Sequence, residues 1–354
     1  MKIVRYLSLT AAVGLICAFD AGPAFAACTQ TGFYRDNINM TAAVIATGDI
    51  TDRTINSTGC NVGIFYGPGT SGTVDNVDVY GANYFGILVV GNLVDSGGNE
   101  TSPSATSVDV TNSAIEDIGE NPFNGTQHGV AIYYRACAAG SSATGTISNN
   151  TVSLYQKGGI TVNCPGAAAT VSSNTVTGNG PVNYIAQNGI QIGFGASGQV
   201  MRNKVTGHSY TGTNNASSAG ILIFGGCGSA LTTGVQAVKN VVGGVKPADG
   251  NDVGVWLANY DPTCSTAPST ATNDKAINNT ITNTELTNLS GNGATGYQAG
   301  ISESGVNDKL INNDISGAGY SPANCSVSAT PRETCSIDAS LGTAAKVHAN
   351  SFNP

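Results

Sequence analysis

The segment QNGIQIGFG, residues 187–195, contains the unit that recurs most often along this chain. The unit is a glycine, an aliphatic residue, any residue, and usually a second aliphatic residue. Further copies begin at Gly63, Gly86, Gly129, Gly159, Gly220, Gly254 and, in a weaker form, Gly300. Short runs in which apolar residues alternate with others, and which are bounded by Gly, Asn or Ser, are typical of β-strands.

A second unit alternates with the first and carries an asparagine between aliphatic residues. Its copies contain Asn76, Asn112, Asn150, Asn174, Asn203, Asn240, Asn279, Asn313 and Asn350. The step from Asn150 to Asn174 is 24 residues, and the step from Gly63 to Gly86 is 23. A period of this length made of short strands predicts an all-β fold, a parallel β-helix whose coils are about 4.8 Å apart.

The alternating GIxV and NxxNTI units resemble the right-handed parallel β-helix repeats of the pectin-lyase-like superfamily. The resemblance covers roughly residues 50–354 and implies a right-handed solenoid of about eight to ten coils. That superfamily includes pectate and alginate lyases, polygalacturonases, other glycoside hydrolases, uronan epimerases, phage tailspikes and proteins with no known catalysis. The fold alone therefore does not decide the function.

The sequence divides into three segments. Residues 1–26 place Lys2 and Arg5 before an apolar core and end in small residues, which is the pattern of a secretory signal cleaved near Ala26. Residues 27–50 break the repeat and are expected to cap the first coil, because an exposed strand edge invites pairing with other chains. Residues 51–354 are expected to form the parallel β-helix domain.

The signal and the cysteines together predict a secreted or periplasmic protein. The apolar part of the signal is too short to span a membrane, so no membrane insertion is expected. Removing residues 1–26 leaves eight cysteines, an even number that is typical of disulfide bonds in exported proteins. Stacking of the coils predicts the pairs Cys137–Cys164 and Cys227–Cys264. Cys28–Cys60 and Cys325–Cys335 are expected to close the two ends of the solenoid.

Composition excludes several classes of partner. The chain has a formal net charge of −8 at pH 7, which argues against nucleic acid, whose phosphates bind basic surfaces. The sequence shows no metal-ligand spacing, and its three histidines leave little room for a zinc site. No cofactor is required, although acidic turns such as those at Asp75 and Asp78 leave calcium as an alternative. The protein is expected to be a monomer.

Aromatic residues recur at positions expected to face outward from the glycine-anchored strands. The residue after each glycine should point into the core and the next one outward, as Ala131, Gln191 and Trp256 do in this scheme. Together with Tyr260, the outward positions predict an exposed strip of Tyr133, Phe224 and Trp256 on which sugar rings could stack. The alternative is that loops cover these rings.

A mostly polar column lies two positions before each glycine and is expected to face a solvent-filled groove. Its members are Asn61, Tyr84, Gln127, Lys157, Gln187, Ser218, Asp252 and Gln298. Gln127 and Gln187 of this column, with the outward-facing Gln191, are predicted to hydrogen-bond sugar hydroxyls.

Two kinds of polysaccharide cleavage fit different residues of this groove. β-Elimination of a uronan needs a base for the C5 proton and a group that neutralises the carboxylate. Lys157 or His128 is the predicted base, and Arg135 is the predicted neutralising cation. Hydrolysis needs two carboxylates about 5–9.5 Å apart, for which Asp252 with Asp249 or Asp261 is the best set.

These observations predict a secreted protein that acts on an extracellular polysaccharide, with a lyase slightly favoured over a glycoside hydrolase. The elimination mechanism requires His128, Arg135 and Lys157 to lie close together on one face. The alternative is a non-catalytic adhesin or scaffold that binds a matrix polymer, with Lys157 and His128 as solvated turn residues.

Overall fold

A computed structural model describes residues 27–214, 216–285, 297–321 and 334–353 of the chain. These residues form β-strands and two short 3-10 helices, Pro247–Asp249 and Ala318–Tyr320. The first strands are β1 (Thr29–Arg35), β2 (Ile38–Ala46), β3 (Ile50–Asn56), β4 (Val62–Tyr66), β5 (Ser71–Tyr80), β6 (Phe85–Val90), β7 (Leu93–Val94), β8 (Glu100–Thr101), β9 (Ala105–Thr111) and β10 (Ala114–Glu116). Next come β11 (Val130–Arg135), β12 (Ser142–Ser148), β13 (Thr151–Val152), β14 (Gly158–Asn163), β15 (Ala167–Ser172), β16 (Thr175–Val182), β17 (Asn188–Gly193), β18 (Ser197–Met201), β19 (Lys204–Tyr210) and β20 (Ala219–Gly225). The last are β21 (Gln236–Val238), β22 (Val241–Gly244), β23 (Val253–Asn259), β24 (Lys275–Ile277), β25 (Thr280–Asn283), β26 (Gln298–Glu303), β27 (Lys309–Ile311), β28 (Asp314–Ser316), β29 (Thr334–Asp338), β30 (Lys346–His348) and β31 (Ser351–Asn353).

The strands stack into two long sheets. Sheet A has eleven strands in the order β1-β2-β4-β6-β11-β14-β17-β20-β23-β26-β29, and all its pairings are parallel except that of β1 with β2. Sheet B has eighteen parallel strands, and β7 and β8 form a separate antiparallel pair. Each coil therefore adds a strand to sheet A and returns through sheet B. The predicted all-β, parallel β-helix fold is confirmed.

A column of β-branched residues in sheet A forms one wall of the core. Its members lie in register on successive strands and are buried: Ile64, Ile87, Ile132, Ile160, Ile190, Ile221, Val255, Ile301 and Ile337. Such side chains pack well on a pleated surface. Burial of each contributes about 1.5–3 kcal/mol before the entropy of ordering the chain is counted.

The third coil departs from the predicted register by two residues. Val130 pairs with Phe85, so that Ala131, and not Gly129, occupies the position held by Gly86 in the previous coil. Ala131 is consequently buried in the core and does not face outward as predicted. Tyr133, which was also predicted to face outward, pairs with Leu88 and takes the first outward position of the strand, because the glycine of the HGVAIYY motif lies upstream of the aligned strand.

Asparagines form a hydrogen-bonded ladder inside the bend of sheet B. The ladder consists of Asn150, Asn174, Asn203, Asn240, Asn279, Asn313 and Asn350. The side-chain oxygen of Asn203, for example, lies 2.9 Å from both the backbone nitrogen and Nδ2 of Asn174. Asn76 and Asn112 do not belong to it. They lie one position earlier, with φ values of 53° and 50° that suit a left-handed turn residue.

Three of the four predicted disulfides are confirmed: Cys28–Cys60, Cys137–Cys164 and Cys227–Cys264. Cys335 is also disulfide-bonded, but its predicted partner Cys325 lies outside the described residues, as do residues 1–26 of the predicted signal. The disulfides fit an oxidising, extracytoplasmic compartment. Among the described residues no helix is long and apolar enough to cross a membrane.

Candidate functional site

The outer face of sheet A changes character along the solenoid. Its first coils are covered by the hairpin of β1 and β2, which buries an apolar cluster that includes Phe33, Met40, Phe65, Leu88 and Tyr133. A second apolar cluster, built around Leu222, Val253 and Ala299, occupies the last coils, with Phe224, Trp256, Tyr260 and Tyr297 packed against it. Between the two clusters, β14 and β17 carry the polar residues Thr161, Asn163 and Gln191 on this face. The polar interval marks the candidate site.

A cavity of about 360 Å³ lies in this interval, and we call it the sheet A cavity. Its lining residues are Arg35, Gln127, Val130, Tyr133, Lys157, Thr161, Asn163, Asn188, Gln191, Phe194, Leu222 and Phe224. Two of them are cations and none is an acid. The nearest carboxylate to Arg35, that of exposed Asp36, lies 3.8 Å from its Nε and outside the lining. The lining itself therefore favours an anionic ligand, although the chain as a whole is acidic.

Amide side chains form a connected network on the floor of the cavity. Asn188 Nδ2 donates to Gln191 Oε1 at 3.2 Å, and Gln191 Nε2 donates to Asn163 Oδ1 at 3.0 Å. Asn163 Nδ2 in turn lies 3.5 Å from the Tyr133 hydroxyl. These mutual bonds fix the orientation of the amides, which offer both donors and acceptors to the hydroxyl groups of a sugar.

Lys157, immediately before β14, carries the amine of the cavity. Its Nζ donates to the Ala186 carbonyl at 2.7 Å, and among the described residues it has no carboxylate partner. Burial disfavours the charged form and lowers the pKa of Lys157 to about 8. A substantial fraction is therefore the free amine in mildly alkaline solution, and a free amine can accept a proton.

Arg35 is the second cation of the cavity and was not predicted as a site residue. It is the last residue of β1; its Nη2 donates to the Gln127 carbonyl at 2.7 Å, and its guanidinium lies 5.3 Å from the centre of the Phe85 ring. These contacts hold the guanidinium at the cavity rim. The sequence places Arg35 in the N-terminal cap, and only the packing of the β1–β2 hairpin on sheet A brings it to the site.

The predicted neutralising cation, Arg135, is paired with a carboxylate. Its Nη1 donates to Glu100 Oε2 at 2.9 Å, and its Nη2 contacts the other oxygen of Glu100. The guanidinium also lies 5.7 Å from the centre of the Phe33 ring. Arg135 is not among the residues that line the sheet A cavity, and Glu100 of β8 compensates its charge beside the hairpin.

His128 is also separated from the cavity. It is buried, its ring stacks on Tyr84 at 3.8 Å between centroids, and its Nε2 lies 2.7 Å from Glu120 Oε1. The predicted grouping of His128, Arg135 and Lys157 around one site is therefore wrong. In the strand register, Arg135 lies opposite Asn163, at the far end of β14. Lys157 precedes Gly158 at the other end, and five residues of strand separate Gly158 from Asn163 by about 16 Å.

The prediction that the polar column faces solvent is wrong for its C-terminal members. Gln187, Ser218, Asp252 and Gln298 are all buried. Gln187 Nε2 donates to the carbonyls of Tyr155 and Gln156 at 2.7 and 3.1 Å. Asp252 Oδ2 accepts the backbone N–H groups of Tyr210 and Ser218 at 2.9 and 2.8 Å. These side chains satisfy backbone groups at the corners of the coils, where strand pairing ends, and they do not face the groove.

The predicted aromatic strip is divided between two environments. Tyr133 and Phe224 line the sheet A cavity, as do Gln127 and Gln191. Trp256, which pairs with Leu222 on the next strand, and Tyr260 instead pack into the C-terminal apolar cluster. Both of these aromatic residues are partly buried.

The carboxylates proposed for hydrolysis do not face a common cavity. Asp252 precedes β23 and is fully buried, which raises its pKa to about 8. Asp261 follows the same strand in an exposed loop, where its Oδ1 accepts the backbone N–H of Ser265 at 2.9 Å. Asp249 lies in the first 3-10 helix and does not line the sheet A cavity. The paired acids required for hydrolysis are thus not assembled.

Three other acids are buried inside the C-terminal coils. Asp308 Oδ1 accepts the hydroxyl of Thr272 and the backbone N–H of Asp274 at 2.6 and 2.7 Å. Burial, with repulsion from Asp308, raises the pKa of Asp274 to about 9 and that of Glu303 to about 8. Among the described residues no group of three or more His, Cys, Asp or Glu side chains is placed to hold a metal ion.

These buried acids predict that stability falls with rising pH. Their folded-state pKa values lie above the unfolded values near 4, so the folded chain retains protons that the unfolded chain releases. The stabilisation that these protonated acids contribute to the folded state is fully present below about pH 4 and is lost as pH rises to about 9. The guanidinium midpoint should be lower at about pH 10 than at about pH 6, and Glu303→Gln should flatten the dependence. Equal midpoints in the unsubstituted protein at the two pH values would contradict this expectation.

The cavity thus provides an amine, a guanidinium, fixed amides and aromatic rings, contributed by the cap hairpin and by β11, β14, β17 and β20. In comparisons with protein-family models, with curated proteins and with solved structures, the chain matched none of them.

Proposed function

We propose that this protein binds an acidic polysaccharide in the sheet A cavity and cleaves it by β-elimination. The observation that supports this most directly is a cavity with two cations, a network of amides and no lining carboxylate. Its volume of about 360 Å³ is within the usual range for small-ligand sites. A uronate sugar offers hydroxyls for the amides, a ring face for Tyr133 or Phe224, and a carboxylate for a cation.

In the proposed reaction the free amine of Lys157 removes the C5 proton of a uronate residue. Arg35, at the rim, stabilises the charge that develops on the carboxylate. The electron pair of the C5–H bond forms a C4=C5 double bond, and the C4–O bond to the leaving sugar breaks. The leaving oxygen then takes a proton from the ammonium group of Lys157 or from water, so that protons balance over the cycle.

Two further observations agree with this proposal. The resemblance of the repeats to the pectin-lyase-like superfamily points to a group that includes uronan lyases. The disulfides and the signal-like residues 1–26 fit a secreted or periplasmic location, where extracellular polysaccharides occur.

A non-catalytic polysaccharide-binding protein is the second candidate. It is favoured by the hydrogen bond of Lys157 Nζ to Ala186, which is compatible with a purely structural amine. The amides and aromatic rings would then bind a matrix polymer without cleaving it.

Incubation of the purified exported chain with polygalacturonate, alginate and neutral dextran separates these functions. We expect ultraviolet absorbance from the new double bond to appear together with new reducing ends on one of the uronans, and neither signal on dextran. Reducing ends without absorbance would indicate hydrolysis and overturn the elimination mechanism. Binding to a uronan with neither signal would establish the non-catalytic alternative.

A further inference from the structure

Three lysines stand in line on the outer face of sheet B. Lys275 of β24 pairs in register with Lys309 of β27, and Lys309 pairs with Lys346 of β30. At a strand spacing of about 4.8 Å, the three α-carbons span about 10 Å along the solenoid. We call these three residues the lysine column.

The positive charge of the lysine column is not compensated within the described part of the chain. The ion pairs found there involve Arg35, His128 and Arg135, and none includes a lysine of the column. Asp274 and Asp308, the residues before two of these lysines, are buried on the opposite face of the strands. Burial raises the pKa of both acids, to about 9 for Asp274.

Polar and basic residues extend the column. Gln199 and Gln236 occupy the same register position on β18 and β21, the two preceding strands of the series. Exposed Arg202 and Lys239 follow β18 and β21 directly, at the turn that ends each strand. The two turns are stacked, because the backbone N–H of Arg202 donates to the carbonyl of Val238. A chain with a formal net charge of −8 thus concentrates cations on one face.

Like charges directly opposite on neighbouring strands destabilise a sheet. Three such positions in succession are therefore unfavourable unless an external anion lies over them. The charges follow a straight line with a constant repeat, which matches a linear polymer whose anionic groups recur along its length. A broad anionic surface would instead meet the acidic remainder of the protein and be repelled.

We propose that the lysine column is a second binding site, for a linear anionic polysaccharide that lies along the solenoid axis. The site is on sheet B and does not depend on the sheet A cavity or on cleavage. A polymer held here would remain attached to the protein independently of events in the cavity.

Binding of fluorescently labelled polygalacturonate tests the proposal, with Lys157→Met present in every sample to prevent cleavage. The test variant is Lys275→Gln with Lys309→Gln. The matched control is Arg53→Gln with Lys246→Gln, which removes the same charge from exposed side chains elsewhere. We expect the test variant to bind about tenfold more weakly at low salt, with the difference shrinking as salt screens the charges, and the control to bind within about twofold of the parent.

The proposal would be overturned if the two double variants lost affinity for the polymer equally, or if the test variant lost none. So would attachment to vesicles of anionic phospholipid through the lysine column without attachment to the polymer. The outcome is distinguishable from failure of the proposed lyase function, because that function is judged by cleavage with Lys157 intact. An inactive protein that still binds polymer through the column would refute only the lyase proposal.

Discussion

Replacement of Lys157 by methionine is expected to lower kcat/KM for eliminative cleavage by about 10²–10⁴-fold. The substitution removes the only amine among the residues that line the sheet A cavity. Methionine keeps a flexible apolar stem of similar length, so the packing beside β14 should persist. Initial rates followed by ultraviolet absorbance measure the effect, and an unchanged denaturation midpoint shows that the coils remain folded.

Lys204→Met provides the matched control, because Lys204 is exposed on sheet B and lies outside the cavity. It should leave the rate unchanged. Lys157→Arg tests the role of the base separately, since arginine keeps the positive charge but stays protonated. This variant should retain polymer binding and remain inactive. A Lys157→Met protein with the rate of the unsubstituted protein would eliminate Lys157 as the base.

The same assignment determines the pH dependence of the reaction. Only deprotonated Lys157 can accept the C5 proton, and its pKa is lowered to about 8. The value of kcat/KM should therefore rise about tenfold per pH unit below that pKa and level off above it. A rate that falls as pH rises through this range would be inconsistent with a lysine base.

The largest effect on stability is expected at the centre of the asparagine ladder, from Asn203→Leu. The asparagine side chain accepts two N–H groups of Asn174 and donates to Asn240 and to the Val171 carbonyl. Leucine has a similar volume but leaves the backbone N–H of Asn174 and the Val171 carbonyl buried without these partners. At about 1–3 kcal/mol for each of these two unsatisfied groups, the free energy of unfolding should fall by about 2–6 kcal/mol.

Guanidinium denaturation measures this loss, with Thr175→Ala as the control. Thr175 follows the ladder residue Asn174 but is exposed, so its replacement should change the free energy of unfolding by at most about 0.5 kcal/mol. Asn350→Leu should have an intermediate effect, because Asn350 is only partly buried at the last described coil. If Asn203→Leu cost no more than Thr175→Ala, the ladder would not be a source of stability.

The architecture could be predicted because its signals are local and repeated. The alternation around Gly189 specifies a strand with one buried side, and the recurrence of Asn174 and Asn203 specifies how successive coils stack. The predicted disulfides Cys137–Cys164 and Cys227–Cys264 follow from the same stacking. Each of these inferences needs only the position of a residue within its own repeat.

The candidate site could be predicted only where it follows the strand pattern. Lys157, Gln191 and Phe224 occupy repeat positions and do line the cavity. The HGVAIYY motif shows the limit even there, because a register shift of two residues places Ala131 where a glycine was expected and buries it in the core. A shift of this kind depends on how the strand meets its neighbours, which the motif does not encode.

The tertiary structure alone decides which charged groups are available to a ligand. Arg35 reaches the cavity because the cap hairpin folds onto sheet A, with exposed Asp36 3.8 Å from its Nε. Arg135, on a strand of that sheet, is held away from the cavity lining in a two-pronged pair with Glu100 from an inserted segment. Burial of Asp252 depends likewise on the segments that pack over it. A repeat pattern specifies which face of its strand a side chain occupies, because strand geometry is local. Charge pairing and solvent exposure depend on contacts between residues far apart in the chain, and these exist only in the folded protein.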